Sequence, residues 1–136
     1  MKVTADTNVL LRTIVDDDEV QTTQAVALLE AADMVAVSLQ SLCELVWVLR
    51  SRYGAARTDI AAALGMLLNT KNIAVNRPAA EAGLEMLKAG GDFADGVIAY
   101  DGTWLGAEMF VSFDKKAVSL LTKHGHAARL LPHNPQ

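Results

Sequence analysis

Short apolar runs with strand character alternate with helix-patterned segments along the whole chain, and this alternation most limits the fold. Strand-like stretches lie at 2–6, MVAVS (34–38), IAVN (73–76), EMFVSF (108–113) and ARLL (128–131). Between them the pattern predicts helices over 7–15, QTTQAVALLEAAD (21–33), SLCELVWVLRSRYG (41–54), TDIAAALGMLLNT (58–70), 78–88, DFADGVIAYDGTWLG (92–106) and DKKAVSLLTKHG (114–125). In the 41–54 segment, Leu42, Leu45, Val46, Leu49 and Tyr53 recur as one buried stripe. Gly54 closes that helix. Pro78 opens another, since a first turn tolerates its missing N–H. The acidic run Asp16–Glu19 reads as a solvated turn. Strands that alternate with helices imply an α/β fold with a mostly parallel sheet. With 136 residues, 51% of them hydrophobic, the chain forms one domain over 1–136 with a mainly aliphatic core.

In such sheets, sites form beyond the carboxyl ends of the strands, and acids are placed there. Asp6 ends the first strand. Glu44 follows MVAVS in the first turn of its helix. Asp92 and Asp95 lie three apart, hence on one helix face, at the start of DFADGVIAY. Asp114 follows EMFVSF. Each acid also has a structural explanation. Asp6, Asp92 and Asp114 are good N-caps, Ser41 to Glu44 matches a capping box, and the helix dipole favours acids in a first turn. Taken together these explanations weaken, because Asp95 lies past the cap and Glu44 sits within the apolar run LCELVWVL. Carboxylates that converge repel, by roughly 3 kcal/mol for a pair about 5 Å apart at an effective dielectric near 20. A divalent cation removes that repulsion. Oxygen donors without histidine or cysteine suit Mg²⁺ or Mn²⁺ and not zinc, and such ions serve phosphoryl transfer.

DTNVLLR, the acid in LCELVWVLRSRYG, DFADGVIA and FVSFDKKA occur in this order over essentially the whole chain. Together they resemble the PIN-domain family, and within it the VapC-type toxin ribonucleases of type II toxin–antitoxin systems. The resemblance implies a three-layer α/β/α sandwich around a mostly parallel sheet. It also implies a Mg²⁺- or Mn²⁺-dependent endoribonuclease that cleaves structured RNA, such as tRNA or rRNA, by metal-activated water and leaves a 5′-phosphate. It assigns catalysis and metal binding to Asp6, Glu44, Asp95 and Asp114, with Asp92 as an auxiliary acid. Thr7, Asn8 and Ser112 become supporting polar residues, Asn8 orienting the first acid and Ser112 standing where threonine is more usual. Gly96 and Gly102 depart from the family pattern and are expected to loosen the helix that carries Asp95. A silencing antitoxin and a homodimer are the implied protein partners.

The net charge of −4 argues against bulk electrostatic capture of nucleic acid. RNA would therefore be held locally, with Arg12, Arg50, Arg52, Lys115 and Lys116 as candidates. The single cysteine, Cys43, reads as a small buried hydrophobe. Trp47 and Trp104 read as core or interface packing. His124 and His126 read as the positive end of a helix, and His133 lies in a frayed tail. No segment approaches a signal peptide or membrane span, so a cytoplasmic location is expected. Three rival readings remain: a PIN domain kept as an inactive scaffold, a receiver-like signalling module, and a haloacid-dehalogenase-type phosphatase. A receiver would want paired acids after the first strand and a late strand ending in lysine. The phosphatase would want D-x-D where this chain has Asp6-Thr7-Asn8.

Overall fold

A computed structural model describes residues 1–132, so His133 lies outside the described residues. These residues form two compact units, the first ending at Arg77 and the second starting at Pro78.

The first unit runs β1 (Lys2–Thr4), α1 (Thr7–Ile14), α2 (Glu19–Ala31), β2 (Met34–Ala36), α3 (Leu39–Ser51), α4 (Arg57–Leu68) and β3 (Ile73–Ala74). Its strands pair in parallel in the order β1-β2-β3, with Val3 opposite Val35 and Val35 opposite Ile73. Helices intervene between successive strands, as parallel pairing requires. The core comprises Leu10, Val35, Leu42, Leu45, Leu49, Ile60 and Leu64, all almost fully buried. The apolar stripe of α3 therefore faces inward as its spacing predicts. Tyr53 does not share it. It lies beyond the helix end, and its hydroxyl donates to Asp17 Oδ2 at 2.8 Å.

The acidic turn is more structured than a solvated loop. Asp18 caps α2 by accepting from the Gln21 N–H at 3.0 Å. Asp17 forms an ion pair with Arg12, which also donates from Nε to Gln21 Oε1 at 2.7 Å. The Tyr53 hydroxyl bond, opposed by partial desolvation and helped by the Arg12 charge, lowers the Asp17 pKa.

The second unit holds α5 (Arg77–Lys88, from Pro78 on), α6 (Phe93–Trp104), β4 (Phe110–Ser112), α7 (Lys115–Lys123) and β5 (Ala128–Leu130). Here β4 pairs in parallel with β5, Val111 opposite Arg129. Met86, Ala99 and Leu121 form a core cluster, with Phe110, Leu120 and Ala128 packed against it. Gly96 brings α6 close to α5, because a Cβ built there would lie 2.4 Å from the Ala82 carbonyl oxygen. At position 96 this gives the glycine a packing role in place of the loosening expected of it. Glycine at 96 permits tight contact, and only Gly102 has room to spare.

The architecture is thus α/β with parallel strand pairs throughout the described residues. The tryptophans are not core residues: Trp47 is 65% exposed and Trp104 76%. Cys43 is only half-buried. Among the described residues, no helix is long and apolar enough to cross a membrane.

Candidate active site

Each unit carries its own set of acids. In the first, β1 hands the chain to α1 through Asp6, whose extended backbone makes it the N-cap. Its Oδ1 accepts from the Val9 N–H at 3.1 Å, and the residue stays exposed. One position on, Thr7 Oγ1 donates to Glu44 Oε1 at 2.6 Å. That bond sets the Glu44 carboxylate beside the start of α1.

Glu44 is not part of a capping box. The N-cap of α3 is Ser38, whose Oγ accepts from the Ser41 N–H at 3.0 Å. The helix therefore begins three residues earlier than the Ser41 reading requires. Glu44 falls in its second turn, too far along to reach back to the cap. Asn8 makes no hydrogen bond to Asp6. Positions two apart on a helix diverge by about 200°, and Asn8 instead lines a groove with Arg12, Gln21 and Gln24.

In the second unit, Asp92 occupies the N-cap position of α6 without a side-chain cap bond. Asp95 lies one turn in and is half-buried. Asp114 caps α7, its Oδ1 accepting from the N–H groups of Lys116 at 2.9 Å and Ala117 at 3.2 Å. Ser112 Oγ in turn accepts from the Asp114 N–H at 2.9 Å, which fixes the loop ahead of that cap. Partial burial, then the charges of Asp92 and Asp114, raise the Asp95 pKa above the ordinary carboxylate value. Asp92 and Asp114 thus both bear on Asp95 electrostatically.

The donor chemistry in both units suits a hard divalent cation: carboxylate oxygens supported by hydroxyls, with no imidazole or thiolate contributing. Within neither unit, among the described residues, do three His, Cys, Asp or Glu side chains group closely enough to hold a metal ion unaided. His124 is the C-cap of α7 and its Nδ1–H donates to the Leu120 carbonyl at 2.8 Å, consistent with a helix-end role.

The five candidate cations differ in their settings. Arg12 is committed to Asp17 and Gln21. Desolvation works against its charge, but Asp17 and Tyr53 outweigh that and raise its pKa. Arg50 and Arg52 are exposed at the end of α3, and Lys115 and Lys116 are exposed beside Asp114. Sequence reasoning missed the bond that joins Thr7 to Glu44 and the one that joins Tyr53 to Asp17. A hydroxyl and a carboxylate 37 positions apart give no local signal.

The PIN domain model matches residues 3–119, a span that includes all five acids. No curated protein matches the chain. With the match covering most of its length, the chain belongs to the PIN-domain family, whose members are in general nucleases.

Proposed function

We propose that this protein is a divalent-metal-dependent endoribonuclease of the VapC toxin type, acting on structured RNA such as tRNA or rRNA. The observation that carries this reading is the family match, which runs through Asp6, Glu44, Asp92, Asp95 and Asp114. Asp6, Glu44, Asp95 and Asp114 would hold Mg²⁺ or Mn²⁺, with Asp92 in support, and residues 1–136 would work as one functional domain. When bound, the ion supplies Lewis-acid stabilisation of charge on the scissile phosphate and an activated water.

The chain's own residues prepare the acids. Thr7 fixes one oxygen of Glu44. Ser112 holds the backbone of Asp114. Asp92 and Asp114 oppose the ionisation of Asp95, so a cation there relieves a repulsion already present. Arg50, Arg52, Lys115 and Lys116 are proposed to contact phosphates, and Arg12 to do so only if it leaves Asp17. A cytoplasmic setting, an antitoxin partner and a homodimer complete the reading.

The test is cleavage of structured RNA with Mg²⁺, then with EDTA, then by Asp6→Asn. We expect metal-dependent cuts with 5′-phosphate ends. Outer partners of metal ligands are each worth about 10- to 100-fold, so Asp6→Asn should lower the rate by at least about 100-fold. Cleavage that survives both EDTA and the substitution defeats the assignment. Labelling of a single aspartate by acetyl phosphate would point to a receiver instead.

A further inference from the structure

The outward face of α3 carries Glu44, Trp47 and Ser51, spaced three and four apart, with Gln40 and Arg50 alongside. All five are exposed. The opposite face, Leu42, Leu45, Val46 and Leu49, is buried. Trp47 is therefore an indole 65% open to solvent, one helical turn from the carboxylate that Thr7 holds in place.

An exposed tryptophan invites two explanations, and its surroundings choose between them. A protein-docking anchor is ringed by close-packed contacts that shut out water. Within one turn of Trp47 on its own helix lie Glu44, Arg50 and Ser51, all exposed and polar, and the half-buried Cys43, with Gln40 a further turn away. A flat aromatic surface among polar and charged groups suits a ligand that combines a π-face with a phosphate backbone, as single-stranded nucleic acid does.

We propose that Trp47 is a base-stacking platform that positions an unpaired RNA nucleotide beside Glu44. The proposal rests on the nuclease reading above. Trp47 is a positioning residue: it takes no part in bond breaking, and it holds the strand by the face of a base.

The test uses fluorescein-labelled r(A)12 and a twelve-residue abasic oligonucleotide of the same backbone. Both are measured by anisotropy in an Asp6→Asn background so that the strand stays intact. Stacking on an aromatic side chain corresponds to about 5- to 150-fold in Kd per base. Trp47→Ala should weaken r(A)12 binding within that range and leave the abasic strand unaffected, while Trp47→Phe retains most of the affinity. In the otherwise native protein, Trp47→Ala should raise KM with little change in kcat. Equal binding of r(A)12 by the parent and Trp47→Ala overturns the proposal. So does an equal loss for both strands, which would mark a merely structural role, or a change of oligomeric mass with RNA binding intact, which would assign the indole to a protein contact. The two readings fail separately. Intact metal-dependent cleavage with unchanged r(A)12 binding removes only the stacking role. Absent cleavage with a base-dependent loss on Trp47→Ala removes only the nuclease.

Discussion

A hydroxyl–carboxylate bond of 2.6 Å between Thr7 and Glu44 joins the first helix to the third. It fixes a carboxylate that solvent would otherwise leave free to rotate. If Glu44 holds the metal of the proposed nuclease, removing the hydroxyl while keeping the shape, as Thr7→Val, should cut RNA cleavage by about 10-fold, the lower end of what loss of an outer partner to a metal ligand costs. Thr7→Ser should restore most of it. Steady-state cleavage rates at saturating Mg²⁺ check both. Asp95 offers a test that needs no substrate. Its folded pKa lies above its unfolded value, so the native state keeps a proton that the unfolded chain has already released. The stabilising effect of the neutral carboxyl is present at low pH and lost as pH rises through that interval. At neutral pH the ionised group opposes folding. Asp95→Asn should therefore raise the melting temperature at pH 7 in EDTA, and the advantage should vanish below the ordinary value of 3.8. A variant that melts lower than the parent at pH 7 contradicts this.

At the scale of elements, α6 carries two glycines with opposite expectations. A Cβ at Gly96 would meet the backbone of Ala82 and the Gly83 Cα, neither of which can swing aside. Gly96→Ala should cost about 1–3 kcal/mol in urea denaturation, the usual price of forcing volume into a packed contact. At Gly102 the nearest atom to a built Cβ is the Ala107 methyl, at an ordinary 3.8 Å. Gly102→Ala should stabilise by up to about 1 kcal/mol through helix propensity. Finding both changes neutral would refute the close α5–α6 approach. The elements also show where sequence patterns are readable. The α3 stripe was legible through Leu42, Leu45 and Leu49, because burial there follows the helical repeat. Its start was not, because Ser38 and Ser41 are equally good caps in isolation and only the backbone conformation selects Ser38. Tyr53 fits the repeat numerically, yet α3 ends before it and Asp17 claims its hydroxyl.

For the molecule as a whole, a net charge of −4 sets the terms on which the proposed RNA substrate would be bound. Any basic contact has to be local. If Arg50, Arg52, Lys115 and Lys116 each neutralise one phosphate, log K against log salt should fall with a slope no steeper than about −3, given about −0.7 per contact for single strands. Anisotropy titrations of Asp6→Asn with r(A)12 between 50 and 300 mM KCl, salt values chosen on the order of those where such slopes are read, would show it. A much steeper slope would mean that the bound form presents a broader basic surface than these four side chains provide.

Local interactions made much of this protein legible from its residues alone. The order of helices and strands, the caps at Asp6 and Asp114, the inward stripe of α3 and the family all rest on contacts within a few positions of one another, whose geometry the chain repeats wherever it forms a helix or strand. Tertiary structure alone decided which strands pair, that Glu44 answers to Thr7 and not to a cap, that glycine at 96 serves close packing, and that Trp47 faces water. These depend on groups tens of positions apart meeting in space, and a linear pattern does not encode which distant surface will fill the volume beside a given side chain.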